Sequence, residues 1–136
     1  MANRLFDSAR QSFLEGAIDV LSIDIKLVFV DHTVDIPDPT TDDFLDDIDA
    51  GARVATSGNL SGKTTASGIF DADDVVLAAV SGPVFSSVVL YNDTPASEAA
   101  KDLIFYIDSA TTLPYTPAGA DITVAWDNGV NRIFKL

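Results

Sequence analysis

Hydrophobic positions near the start of the chain recur at the spacing of one helical face. The intervals between them are one, three and four residues, which places their side chains on one side of a helix. They are Leu5, Phe6, Ala9, Phe13 and Leu14. Asn3 is a suitable N-cap and Gly16 a suitable stop, so the pattern predicts one helix over about residues 3–15.

Beyond this helix, apolar and polar residues alternate or form short apolar runs, as is typical of strands. Strands are predicted over residues 23–30, 53–56, 63–67, 75–80, 84–91, 103–108, 122–127 and 130–135. Residues 103–107 are all apolar, which indicates a strand that is covered on both faces. The spacing of these strands predicts a mainly β fold, an antiparallel β-sandwich or barrel with one N-terminal α-helix.

Asn128-Gly129 lies between the last two predicted strands and favours a two-residue type I′ hairpin. In that register, Val124 lies opposite Ile133 and Ala125 opposite Arg132. Trp126 then shares a face with other apolar residues of its strand, and we interpret it as a core residue in preference to an interface residue.

An acidic loop over about residues 35–50 interrupts the β pattern. Residues 35–49 contain seven aspartates, and residues 42–48 could form a short helical turn with Phe44, Leu45 and Ile48 facing inward. The Asp-x-Asp-x-Asp-Gly pattern of a calcium loop and its closing Glu are absent. A solvated loop is therefore favoured over a calcium site, both here and at the smaller 71–74 cluster. A cation shared between subunits remains open.

Composition narrows the classes of function. A chain of 136 residues suits a single domain, 1–136. Its 8 Lys and Arg against 21 Asp and Glu give a net charge of −13, which repels nucleic-acid phosphates and anionic lipids. No cysteine is present, so disulfides and Cys-based zinc sites are excluded. No segment has the pattern of a signal peptide or membrane span.

Two motifs suggest chemistry only weakly. Residues 58–64, Gly-Asn-Leu-Ser-Gly-Lys-Thr, resemble a phosphate-binding P-loop but have three residues between the glycines where four are required. The following residues are poor helix formers, so a turn between two strands is predicted. His32 is the only histidine, and Gly-x-Ser-x-Gly does not occur. We therefore expect no catalytic residues, no metal site and no cofactor.

Several short segments occur in a fixed order along nearly the whole chain. Two of them are Phe44-Leu45-Asp46-Asp47-Ile48 and Trp126-Asp127-Asn128-Gly129. The others are residues 1–3, 13–18, 25–31, 51–55, 60–64, 72–75, 79–82, 106–108, 113–114, 122–124 and 133–136. In this order they resemble a family of small structural proteins of tailed-phage and prophage virions. Residues 37–41, with two prolines, are less regular than the family pattern.

The resemblance implies a capsid decoration or cement protein that bridges major capsid subunits and has no enzymatic activity. It would be made in the host cytoplasm and lie on the capsid surface of the virion. The major capsid protein would be its partner, with no direct contact to nucleic acid or membrane. By analogy with cements at local three-fold positions, we expect a homotrimer.

The expected contact residues lie in the helix, in the acidic loop and at one proline-flanked tyrosine. They are Leu5, Phe6, Phe13, Phe44, Leu45 and Tyr115. A tail- or fibre-associated protein, or a host-surface or glycan-binding β-sandwich module, is the alternative. In that case Trp126, Tyr91, Tyr106 and Tyr115 would form an exposed aromatic platform. A metal-dependent hydrolase is a third, less favoured class.

Overall fold

The computed structural model describes residues 3–136 and shows a mainly β fold in which every strand pair is antiparallel. The one α-helix among these residues is α1 (Asp7–Leu14), and short 3-10 turns cover Leu45–Asp47, Ala50–Ala52 and Glu98–Ala100. The strands are β1 (Arg4–Leu5), β2 (Ile25–Val30), β3 (Arg53–Thr56), β4 (Thr64–Ala66), β5 (Ile69–Asp71), β6 (Val75–Leu77), β7 (Ser87–Asn92), β8 (Leu103–Ile107), β9 (Ile122–Val124) and β10 (Phe134–Lys135). The predicted fold class is confirmed.

The largest sheet has five strands in the order β1-β8-β7-β2-β3. All six residues of β7 are buried, because this central strand is covered on both faces. A three-stranded sheet, β10-β5-β4, and a two-stranded sheet, β6-β9, pack against the same hydrophobic core. No sheet among residues 3–136 closes into a barrel, so the arrangement is consistent with the sandwich alternative.

The helix is shorter than the predicted 3–15, because the residues before it extend the main sheet. Arg4 and Leu5 pair with Tyr106 and Phe105 of β8. Asn3 is not the N-cap; its side-chain oxygen accepts the backbone N–H groups of residues 108 and 109 at 3.0 and 2.9 Å. These bonds hold the backbone extended, and the helix begins only at Asp7.

The predicted hairpin around Asn128-Gly129 is wrong. β9 pairs with β6 and β10 pairs with β5, so the two segments belong to different sheets. The ring of Phe134 packs 5.3 Å from those of both Phe70 and Phe105, which gives the last strand a better partner than its neighbour in sequence. The interpretation of Trp126 as a core residue is confirmed, since its side chain is buried and its indole N–H donates to the Asp73 carbonyl at 3.0 Å.

A two-residue hairpin does form elsewhere, between β4 and β5. Ser67 and Gly68 connect the strands with φ angles of +53° and +78°, as a type I′ turn requires at both central positions. The sequence prediction placed Ser67 inside a strand and missed β5. A serine in the left-handed region is strained because its Cβ crowds the neighbouring carbonyl.

Replacing Ser67 with Asn should therefore stabilise the fold, because Asn tolerates a positive φ better than Ser does. We expect a gain of up to about 1 kcal/mol in the free energy of unfolding, measured by urea denaturation. The matched variant Ser67→Val should lose stability, since a β-branched side chain is disfavoured in this region. Equal stabilities for the two variants would contradict the turn assignment.

Candidate functional site

His32, which is half-buried, and Ser87, which is fully buried, form a polar pair that the sequence did not reveal. His32 Nε2 lies 2.9 Å from Ser87 Oγ, and the imidazole stacks in parallel with the ring of Tyr106 at 6.5 Å. Burial lowers the pKa of His32, although Asp108, Asp31 and Asp35 act to raise it. Burial, with a smaller contribution from Asp108, raises the pKa of Tyr106 to about 12. His32 is thus held neutral more readily than an exposed histidine.

This pair has the spacing of a nucleophile and its base, but its setting does not suit catalysis. A nucleophilic serine must reach a substrate, whereas Ser87 is fully buried in the central strand β7. Tyr106 is likewise buried in β8. The arrangement instead satisfies the polar groups of the buried residues and ties the segment after β2 to β7 and β8.

The aspartates of the acidic loop are used mainly to fold the loop itself. Asp47 accepts the N–H groups of Asp43 and Phe44 at 2.8 and 3.0 Å, and Asp35 accepts that of Asp49 at 2.8 Å. Burial, together with the charges of Asp47 and Asp35, raises the pKa of Asp42. In the described part of the chain, no three His, Asp or Glu side chains are grouped closely enough to hold a metal ion.

The predicted turn in this loop is confirmed in 3-10 form over Leu45–Asp47. Leu45 and Ile48 are buried, whereas Phe44 is half-buried. The guanidinium of Arg53 donates to the carbonyl oxygens of Leu45 and Ile48 at 2.8 and 2.7 Å and pairs with Glu98 at 2.9 Å. The loop is thus fixed against β3 and presents its other carboxylates to solvent.

Three of the six expected contact residues are not on the surface. Leu5, Phe6 and Leu45 belong to the core, because β1 pairs with β8 and the 3-10 turn faces inward. Their assignment as interface residues is therefore wrong for the folded chain.

The other three expected contact residues are half-buried, and their role as contacts remains a prediction. Phe13 packs against Phe134 with ring centroids 6.1 Å apart. Tyr115 stacks on Phe85 at 5.5 Å, and Phe44 forms an isolated bridge with Asp102. All three retain some surface that a partner protein could cover.

The exposed aromatic platform of the alternative function does not form. Trp126, Tyr91 and Tyr106 are all buried, with exposed fractions of 8%, 4% and 1%. Only Tyr115 retains partial exposure. A flat glycan-binding surface needs several exposed rings, so the expected set of four aromatics cannot supply one.

A cleft of about 750 Å³ lies beside Tyr115, over one face of the five-stranded sheet. Its apolar lining includes Phe29, Phe85 and Phe105, and its polar lining includes Asp121 and Asp127. Phe29 and Phe85 stack at 4.0 Å with their planes 5° apart. A cleft with an apolar floor and a few polar groups has the general form of a small-molecule site.

The loop over residues 58–64 is a turn between β3 and β4 and does not have the structure of a P-loop. Gly62 has a φ of +62°, and a Cβ atom at this position would overlap the Asp73 carboxylate. Lys63 donates its ammonium group to the Ile23 carbonyl. A carboxylate at the turn would repel a phosphate, so the predicted turn interpretation is confirmed.

Asp93 forms a charged cluster with Lys26 and Lys101, at 2.7 and 2.6 Å. Burial acts to raise the pKa of Asp93, but the hydrogen bonds from Lys101 and Lys26 outweigh it, and the net shift is downward. The cluster joins β2 to the segments on either side of the Glu98–Ala100 turn. It is a structural feature that links sequence-distant parts of the main sheet.

We expect Asp93→Asn to lower the free energy of unfolding at neutral pH by about 2 kcal/mol, because two charge-assisted hydrogen bonds lose their acceptor charge. Since the folded pKa lies below the unfolded value of about 3.9, this stabilisation is present above that pH and is lost as the pH falls through the folded pKa. The difference in the free energy of unfolding between the original chain and Asp93→Asn, measured by urea denaturation, should be smaller at about pH 3 than at pH 7. A constant difference would contradict this account.

A scan against protein-family models and a search of curated protein sequences both find no match to the chain. The helices described within residues 3–136 are all too short to cross a lipid bilayer.

Proposed function

We propose that the chain is a structural subunit of a tailed-phage virion that decorates the capsid and stabilises it by bridging major capsid subunits. It acts as a building block and not as an enzyme, and its site of action is the capsid surface. Assembly as a homotrimer is part of the proposal by analogy with capsid cements. The resemblance along the sequence motivates this choice among the classes of function.

The observation that carries the proposal is the combination of strong negative charge with exposed apolar side chains. At a net charge of −13, copies of the chain repel one another in solution. Eight large apolar side chains nevertheless remain exposed: Leu14, Leu21, Val34, Ile36, Val76, Val84, Val130 and Leu136. A subunit that stays separate until it docks, and then buries apolar surface on another protein, needs both properties.

The buried polar groups support the same proposal. The half-buried His32 is paired with Ser87 of β7, and Asp93 is neutralised by two lysines. Neither set lines the 750 Å³ cleft. These charged and nucleophilic side chains therefore have structural partners, which suits a rigid scaffold. Symmetric addition of many such units to a shell would multiply weak contacts into a strong clamp.

The composition of purified particles tests this proposal. Phage particles that carry the chain would be banded, washed at high salt and quantified by mass spectrometry against the major capsid protein. We expect hundreds of copies per particle, comparable to the shell subunit. Detection only in the lysate of infected cells, and never in washed particles, would refute a virion role.

A tail- or fibre-associated or host-surface-binding role is the second candidate, favoured by Tyr115 beside the 750 Å³ cleft. A half-buried tyrosine at the edge of an apolar cleft could contact a sugar ring or another host-surface group. The same particle composition separates the two candidates, because a tail component would be present in only a handful of copies.

A further inference from the structure

One side of β3 has no neighbouring strand. β3 is the last strand of the five-stranded sheet, and β2 pairs with its other side. The N–H of Ser57 donates to the carbonyl oxygen of Leu27 on β2 at 2.9 Å. Because the backbone groups of successive residues in an antiparallel strand point to opposite sides, the N–H and C=O of Thr56 point away from the sheet. In the described part of the chain these two groups have no hydrogen-bond partner. An edge of this kind can pair with another extended chain.

A groove of about 330 Å³ runs along this open edge. One wall is formed by residues 54–58, and the other is formed by residues 76–81 at and after β6. None of these eleven residues carries a charge, although 21% of the residues in the whole chain do. Val76 lines the groove and is 57% exposed. The groove thus offers unpaired backbone groups beside exposed apolar side chains.

Protection by charge is missing from the groove side of β3, although the register shift between Phe29 and Val30 makes Val54 a bulged residue and residues 76–81 face the edge across the groove. Natural proteins shield open edges with charged side chains, with proline, with bulges or with a covering segment, each of which hinders a second strand. The charged residue of β3 is Arg53, but its guanidinium is directed to Leu45, Ile48 and Glu98 and does not line the groove. The remaining residues of the strand are Val54, Ala55 and Thr56, which are uncharged, and two of them are β-branched residues typical of strands.

We propose that the open edge of β3 binds an extended, uncharged segment of a different protein as an added antiparallel or parallel strand. A second copy of the chain is disfavoured as the occupant, because two molecules with a charge of −13 would have to approach edge to edge. Four residues of an added strand would span about 13 Å, the length of β3. Resting on the proposed function, the segment comes from the major capsid protein.

The first test uses a synthetic probe and does not depend on a phage. The probe is the acetylated and amidated peptide Thr-Val-Thr-Val-Thr, with the same peptide N-methylated at alternate residues as its control. The backbone amide of Thr56 is followed by nuclear magnetic resonance. We expect the unmodified peptide to slow hydrogen exchange at Thr56 at least tenfold, and the N-methylated peptide to leave it unchanged, because N-methylation removes the donors of the added strand.

Two matched variants locate the effect. Val76→Lys places a charge in the groove, whereas Val130→Lys places the same charge at an exposed valine outside it. We expect Val76→Lys to weaken peptide binding at least tenfold and Val130→Lys to leave it unchanged. The amide spectrum of each variant without peptide reports whether its fold is intact.

The second test adds empty capsid shells of the phage that carries the chain. Binding to shells with slowed exchange at Thr56, lost in Val76→Lys, supports both the edge and the capsid partner. Binding with unchanged exchange at Thr56 overturns the edge proposal and leaves the capsid role intact. Peptide binding at Thr56 without shell binding supports the edge but refutes the capsid partner. If neither peptide nor shells slow exchange at Thr56, the edge proposal is overturned.

Discussion

Phe29→Ala is expected to lower the free energy of unfolding by about 3–5 kcal/mol. Phe29 is 1% exposed in β2, and its ring stacks on Phe85 at 4.0 Å. Removing the ring creates a cavity in the middle of the five-stranded sheet, where neighbouring strands on both sides restrict collapse. Guanidinium denaturation followed by far-UV circular dichroism measures the change.

Leu14→Ala is the matched control, because it also removes a large apolar side chain but from a position that is 86% exposed. Its effect should stay within about 0.5 kcal/mol. A loss of less than about 1.5 kcal/mol for Phe29→Ala would contradict the placement of β2 in the core. A variant that fails to fold agrees with the prediction, and Phe29→Leu then supplies a measurable intermediate loss.

Gly62→Ala is expected to cost about 2 kcal/mol or more. The residue has a φ of +62°, in a region that costs roughly 1–2 kcal/mol for a residue with a Cβ atom. The added Cβ would also collide with the Asp73 carboxylate, which accepts a hydrogen bond from Ser61 at 3.2 Å. The carboxylate would have to move and give up this bond, so the two penalties add.

Gly58→Ala in the same loop is the control. A Cβ at Gly58 meets no atom within 4 Å, and its φ is not in the left-handed region. This variant should be neutral or more stable by up to about 1 kcal/mol, because alanine restricts the unfolded chain. Both stabilities are measured by thermal and urea denaturation. Similar losses for the two variants would show that the loop does not depend on the backbone geometry of Gly62.

The strands that the sequence predicted best are those whose signal is local. β3 was predicted with its observed bounds, and β2, β7 and β8 within a few residues at either end. Each of these strands combines β-branched or aromatic residues with flanking turn residues, and such patterns depend only on neighbours in the chain. The apolar run in β8 also predicted its burial on both faces, because a strand without polar alternation has no solvent face.

The errors arose where a distant partner decided the outcome. Asn3 is a suitable N-cap by its residue type and its position in the sequence, but its side chain binds the backbone of residues 108 and 109. Asn128-Gly129 is a strong hairpin signal, yet Phe134 packs against Phe70 and pairs with β5. Local propensity is a weak prior, and tertiary contacts of this kind override it.

The candidate site was even less accessible to sequence analysis. His32 and Ser87 are 55 residues apart and meet only because β2 and β7 are neighbours in the sheet. The pattern of apolar residues could not tell whether a partner protein or the chain's own core covers Leu5, Phe6 and Leu45, and the structure places all three in the core. The open edge of β3 follows from strand order, which no local pattern specifies.

A map of the intact virion by electron cryomicroscopy tests the central claim most directly. The account predicts density for the chain on the outer capsid surface, with each copy contacting at least two neighbouring major capsid subunits. Density confined to the tail, or a complete shell with no density for the chain, would contradict it.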